Sequence, residues 1–293
     1  MPNLKDIRNR ISSVESTKQI TNAMKMVSAA KLRKAQKAVQ QLRPYANKLQ
    51  EILTHISASE SESAISPYTE QRDNEKIILL AISSNKGLCG PFNTNVAKSV
   101  MELCNYKYSE QYQKGNLKII TAGKKVAEIL KSKGYESSEQ YDDIFEDLSF
   151  ENVSEFTQKL MNRFKNEEFD KLEIIYNSFK NAAVQDLVTE QFLPVEEAKE
   201  DEEDTFFSDY IYEPSEAYIM ANLIPDSIKI QAYKAFLDSS ASEHGARMTA
   251  MHMATDNATD MIKDLKLTYN KARQATITKE INEITAGAEA LKA

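Results

Sequence analysis

Cysteine is nearly absent from the 293-residue sequence. Cys89 and Cys104 are too few for a disulfide framework or a cysteine-based zinc cage. The histidines, His55, His244 and His252, are scattered, and His244 and His252 on one helix would stand two turns apart, too far for one metal. Tryptophan is missing, and seven glycines and seven prolines leave room for long, uninterrupted helices. No stretch approaches the ~20 consecutive apolar residues that a membrane-spanning helix needs. The first residues pass directly into an amphipathic pattern without a signal or transit segment, which reads as a cytoplasmic protein. With 41% apolar and 28% charged residues, the chain is polar for a compact protein but too apolar to be disordered throughout.

The net charge of −7 hides an uneven distribution. Residues 1–57 carry 11 basic and 3 acidic side chains, residues 58–225 carry 17 and 32, and residues 226–293 carry 9 and 9. A basic arm of this kind can meet nucleic acid, anionic lipid or an acidic protein surface, or be an ordinary solvated helix face.

Both ends of the chain read as long helices. In the N-terminal segment, 1–57, apolar residues fall at Leu4, Ile7, Ile11 and Val14. After a polar gap they resume at Leu32, Ala35, Val39, Leu42, Tyr45, Leu49, Ile52 and Ile56. This is coiled-coil spacing. Pro44 is expected to kink this helix or to start a new one. A polar linker at 57–63 ends it. In the C-terminal segment, 208–293, Pro214 and Pro225 read as helix starts. Met248, Met251, Thr255, Ala258, Ile262, Leu265, Tyr269 and Ala272 then alternate by 3 and 4. The stripe shifts register and resumes at Ile277, Ile281, Ile284, Ala288 and Leu291. Ala246, Ala250, Ala254 and Ala258 recur every fourth residue, small enough for another helix to approach. An antiparallel coiled coil between the two ends is expected. The alternative, each helix packed on a globular core, needs a broader apolar face.

The middle, 75–207, alternates short apolar runs with amphipathic stretches. Strands are expected at 76–83 (KIILLAIS), 117–121 (LKIIT), 171–176 (KLEIIY) and, as an edge, 188–193; helices are expected at 93–106, 124–133 and 154–165. The fold class is thus α/β: a long antiparallel helical coiled coil plus a small α/β (Rossmann-like) domain with a largely parallel sheet. The run 196–204 (EEAKEDEED) holds seven acids in nine residues and reads as a solvated loop.

The loop 83–90 (SSNKGLCG) stands where a phosphate-binding loop would, but has the spacing of neither glycine-rich phosphate motif. Cys89 has no histidine within 30 residues to activate it. Six of the ten methionines, at 24, 26, 248, 251, 253 and 261, read as packing material. No acid–base pair stands out, and no catalytic or metal site is expected.

The two ends together resemble the gamma subunit of the rotary F-type ATP synthase, bacterial type. The resemblance rests on 4–11 (LKDIRNRI), 17–36 (TKQITNAMKMVSAAKLRKAQ) and 43–45 (RPY) at one end. At the other it rests on 241–251 (ASEHGARMTAM), 254–258 (ATDNA), 269–281 (YNKARQATITKEI) and 283–288 (EITAGA). The loop 84–90 (SNKGLCG) and 210–214 (YIYEP) are similar to the family as well, so the likeness covers nearly the whole chain. The acidic run 196–204 is the main stretch that the resemblance does not place and looks like a lineage-specific loop, and no cysteine pair sits in an inserted segment as in the thiol-regulated chloroplast form.

The resemblance implies a non-catalytic rotor shaft without a cofactor. Its coiled coil would lie in a ring of alpha and beta subunits. Its α/β domain would meet the epsilon subunit and the c-subunit ring, at the cytoplasmic face of the membrane, with no nucleic acid bound. It implies rotor–stator contacts at Met24, Lys25, Arg247, Gln274, Thr278 and Glu280, and epsilon or c-ring contacts at Tyr210, Tyr212 and Glu213. The rival readings are a non-rotary coiled-coil adaptor and a small α/β nucleotide-binding enzyme with helical arms.

Overall fold

A computed structural model describes residues 4–58, 67–182, 184–195, 213 and 216–290. The chain order is α1 (Leu4–Ala58), β1 (Ile77–Ile82), α2 (Phe92–Glu102), α3 (Ser109–Gln113), β2 (Leu117–Ala122), α4 (Lys124–Ser132), β3 (Glu139–Gln140), α5 (Phe150–Lys165), β4 (Lys171–Phe179), β5 (Gln185–Leu193) and α6 (Glu216–Ala290). It divides into two compact units, one of residues 1–28 and 248–293, the other of residues 29–247.

The second unit is built on a five-stranded sheet in the order β3-β2-β1-β4-β5. β3, β2, β1 and β4 run parallel, and β5 returns antiparallel along β4. Central β1 is buried on both faces, which is why its sequence is an unbroken apolar run rather than an alternating one. Ile78, Leu80 and Ile82 face one core, with Val153, Phe156, Leu160 and Phe164 of α5 and Ile224, Ile228, Ala232 and Phe236 of α6. Ile77, Leu79 and Ala81 face the other, with Val96, Ala97 and Val100 of α2 and Val126 and Leu130 of α4. Ile52 of α1 packs against the first core.

Several boundaries differ from the sequence reading. α6 begins at Glu216 and runs through Pro225, and α1 runs through Pro44. Neither proline starts a helix. Each removes one backbone hydrogen bond, at about 3 kcal/mol in a free helix. Burial of Ile224 and Ile228 beside one proline, and of Val39 and Leu49 either side of the other, offsets that loss. α5 starts at Phe150 instead of 154 because Ser149 caps it, its hydroxyl accepting from the Asn152 amide. The expected helix at 93–106 ends at Glu102 and passes into a π-turn at Leu103–Lys107, closed by the Tyr108 amide on the Leu103 carbonyl at 2.8 Å. That wider turn brings Lys107 Nζ and Tyr108 Oη to the same oxygen of buried Glu173, each at 2.6 Å.

In the first unit, residues 4–28 of α1 pair antiparallel with the later part of α6. Arg8 donates to the Tyr269 hydroxyl at 2.9 Å, Glu15 pairs with Lys266 at 3.2 Å, and the Thr21 and Thr255 hydroxyls lie 2.8 Å apart. Rising numbers on one helix thus meet falling numbers on the other. Met251, Thr255, Ala258 and Ile262 are buried, and Leu265, Tyr269 and Ala272 are half-buried, as the 3–4 stripe predicts. The polar gap in α1 is not a gap in the seam. Lys18 half-buried, and Thr21 and Ser28 buried, occupy the same heptad positions with polar groups.

The expected continuation of the stripe past Ala272 is not a seam. Ile277, Ile281 and Ile284 are 47%, 55% and 71% exposed, and every residue from 273 to 288 is exposed. The described part of α1 begins at Leu4, and the register set by Arg8 and Tyr269 brings Leu4 level with about residue 273. Leu291 and the acidic run 196–204 lie outside the described residues. Among the described residues no helix is long and apolar enough to cross a membrane, and no cluster of potential metal ligands occurs.

Candidate functional site

The sequence-derived contact residues fall into different settings. Met24 and Lys25 are half-buried on α1 in the first unit. Gln274, Thr278 and Glu280 are exposed on α6 in the same unit; Gln274 and Thr278 stand one turn apart, with the Thr278 hydroxyl donating to the Gln274 carbonyl at 2.9 Å. All three share that exposure with every other residue from 273 to 288. Glu213 is exposed, and Tyr210 and Tyr212 lie outside the described residues.

Arg247 belongs to the second unit and differs from all of these. It is 7% exposed. Its Nη1 donates to Glu243 Oε1 at 2.6 Å, Nη2 to the Lys86 carbonyl at 2.7 Å, and Nε to the Gly87 carbonyl at 3.2 Å. Glu243, one helical turn away, is 8% exposed. Burial pushes the Glu243 carboxyl above the ordinary range, and the Arg247 guanidinium pulls it back. Neighbouring His244 is driven down to about 4, by burial first and then by the positive charges of Arg247 and Lys31. Neutral His244 and paired Glu243 keep a single charged couple under the loop.

The loop itself is filled by its own side chains. The Ser84 amide donates to Asn93 Oδ1 at 3.1 Å, and the Lys124 amide to Asn85 Oδ1 at 3.1 Å. The Val126 amide donates to Ser83 Oγ at 3.3 Å. Of these amides only that of Ser84 belongs to the loop; those of Lys124 and Val126 open α4, so the loop is tied to the neighbouring strand-to-helix turn by side chains. Gly123, at φ 106°, comes so close that a Cβ there would stand 2.7 Å from Ser83 Oγ and 2.8 Å from the Ser83 carbonyl oxygen. Cys89 is 1% exposed, packed with Phe92 and Ala246, with its Sγ 3.2 Å from Asn93 Nδ2. Burial raises its thiol pKa, the reverse of what a nucleophile needs.

The sequence reading missed Glu243 and Asn93. The Glu243–Arg247 spacing of four on a helix was a usable signal for an ion pair. The arginine's contact with carbonyls about 160 residues earlier left no local pattern.

Comparison with known proteins places these features in a family. A family model described as ATP synthase matches residues 3–291. The ATP synthase gamma chain of Christiangramia forsetii is 54% identical over 291 residues, covering 99% of each chain. Among solved structures, a chain of the Euglena gracilis mitochondrial ATP synthase OSCP/F1/c-ring assembly aligns at a TM-score of 0.66, with 22% identity, over 98% of this chain and 94% of that one. A chain of the rotor of the same organism's enzyme aligns at 0.61, with 22% identity, over 94% and 98%. The fold is therefore shared with those chains, and by sequence the protein belongs to the ATP synthase gamma-chain family.

Proposed function

We propose that the protein is the central rotor shaft of a proton-translocating ATP synthase. It couples proton flow through a membrane ring to the conformational cycle of the catalytic beta subunits and catalyses no bond change itself. Family membership supports this reading, and the observation that carries it is the last part of α6. Residues 273–288 are a helix with all sides exposed, carrying Ile277, Ile281 and Ile284 beyond the described end of their antiparallel partner. An apolar stripe of that kind is stable in water only at a cost, and a surrounding protein sleeve of alpha and beta subunits would remove it.

In this reading the terminal segments 1–57 and 208–293 form the shaft. The central segment 75–207 meets the epsilon subunit and the c-subunit ring, with Tyr210, Tyr212 and Glu213 among the contacts. The protein is peripheral, at the cytoplasmic face of the membrane, and holds no cofactor. One charge crossing ~150 mV delivers roughly 3.5 kcal/mol, so several crossings must be summed for each ATP. A paired coil can carry that load only if its register is fixed, and Arg8–Tyr269, Glu15–Lys266 and Thr21–Thr255 fix it. Basic α1 facing acidic beta-subunit surface would steer each step without a single deep trap.

Neither rival reading gains a comparable observation: an adaptor has no need of the exposed tip, and the loop 83–90 has the spacing of neither glycine-rich phosphate motif. The test is rotation. With the alpha–beta ring immobilised and a bead attached to an exposed cysteine introduced in the α/β domain, ATP should turn the bead in one direction. ATP hydrolysis without directed rotation would overturn the proposal.

A further inference from the structure

We infer that Arg247 acts on coupling from inside the protein, as the positioning residue for the loop 84–90, and not as a charge presented to the ring. The inference rests on the rotor reading and assigns a mode of action to one of its residues.

Three nitrogens of the guanidinium are committed within the chain: two to consecutive carbonyls of the loop, Lys86 and Gly87, and one to Glu243. The Lys86 carbonyl also accepts from Ser84 Oγ at 2.7 Å. Asn93 holds the loop from the other side, through Ser84 and Cys89. Between these anchors lies Leu88, with φ 63° and 62% of its surface exposed. A leucine in the left-handed region is strained, and an exposed one gains little from burial, so its own preferences do not maintain this conformation. The clamp does. Glu243 orients the guanidinium, the guanidinium fixes two carbonyls, and the fixed carbonyls hold Leu88 outward at the tip.

The same geometry supplies a readout independent of rotation. Cys89 is sealed beneath the loop, while Cys104 is buried in the separate core of α2 and β1. Releasing the loop should open Cys89 and leave Cys104 closed.

The experiment compares wild type, Arg247→Ala, Arg247→Lys and Glu243→Gln in the assembled complex. Alkylation of the two thiols by iodoacetamide is followed by mass spectrometry, and protons pumped per ATP hydrolysed are measured in vesicles. Lysine keeps the charge but cannot span two carbonyls and a carboxylate. The expected result is that both Arg247 variants speed Cys89 alkylation by roughly tenfold, as the loss of one or two charge-assisted hydrogen bonds to a local opening implies. Cys104 stays slow, and both variants lose coupling. If Arg247→Ala opens both thiols through wider unfolding, Glu243→Gln decides: selective Cys89 labelling with lost coupling supports the inference, and its absence overturns it. Coupling preserved in Arg247→Lys would overturn it in favour of a surface charge. So would lost coupling in Arg247→Ala with Cys89 as slow as in wild type. Failure of the rotor reading itself would look different, because Gln274→Ala and Thr278→Ala would then also leave coupling unchanged.

Discussion

The Thr21 and Thr255 hydroxyls meet at 2.8 Å in the buried seam between α1 and α6, 234 residues apart in the chain. Each also lies near a carbonyl of its own helix, Lys18 at 3.1 Å and Met251 at 2.7 Å. A polar pair in the seam favours this register, because a slipped hydroxyl would keep the carbonyl of its own helix but lose its partner across the seam.

That pairing gives a double-mutant test. Thr255→Val alone should destabilise the chain by about 1 kcal/mol, since Thr21 loses its partner. Thr21→Val with Thr255→Val should recover most of that loss. Urea denaturation of the four proteins measures the coupling, and additive losses would mean the hydroxyls do not interact.

Gly123 supports the loop from beneath. Gly123→Ala forces a Cβ to within 2.8 Å of the Ser83 carbonyl oxygen and 2.9 Å of its carbon, at a φ that L-residues avoid. Backbone cannot yield as a flexible side chain can, so a loss of about 3 kcal/mol or more is expected. A melting temperature unchanged from wild type would count against the packing described.

Glu173 tests burial against exposure. Its carboxylate is 3% exposed and serves both Tyr108 and Lys107, whereas Lys107 is half exposed. Glu173→Ala should cost about 2 kcal/mol, because the buried Tyr108 hydroxyl loses its acceptor. Lys107→Ala should cost under ~1 kcal/mol, as solvent already screens that charge. Equal losses would show that the lysine carries the interaction.

His244 predicts a pH dependence. Its folded pKa, about 4, lies below its ordinary 6.5. The unfolded chain therefore binds the proton that the folded chain refuses, and stability is lost as pH falls from about 6.5 toward 4. Glu243, raised by burial, acts in the opposite sense above its ordinary 4.5. His244→Gln isolates the histidine: its stability relative to wild type should grow as pH falls through that window. A constant difference across the window would place the imidazole in water.

The sequence announced the two helical ends and four of the five strands because these depend on local periodicity; β3, only two residues long, left no such pattern. The heptads of α6 from Met248 to Ala272 and the apolar run of β1 are read directly from spacing and burial. What stayed hidden depended on distant partners. Pro225 and Pro44 continue their helices because core contacts from elsewhere hold the turns on either side. Thr21 and Ser28 sit in the seam although polar, because Thr255 faces one of them. Ile277 looked like more seam and is exposed, since a stripe on one helix does not show whether a partner faces it. The hydrogen bonds of Arg247 stayed hidden because its carbonyl partners lie in a loop that no helical pattern points to.

The central claim is that torque passes between this chain and a surrounding ring at named side chains, and proton pumping per ATP hydrolysed in inverted membrane vesicles tests it most directly. The complex should be assembled with wild-type protein, Met24→Lys, Gln274→Ala or Thr278→Ala. Gln274 and Thr278 are exposed and Met24 is half-buried, so the chain should remain folded in each case. The account predicts normal assembly with fewer protons pumped per ATP in all three. The loss should be largest for Met24→Lys, which sets a new charge against the ring and holds one angle too tightly. Pumping per ATP equal to wild type in every variant would contradict it.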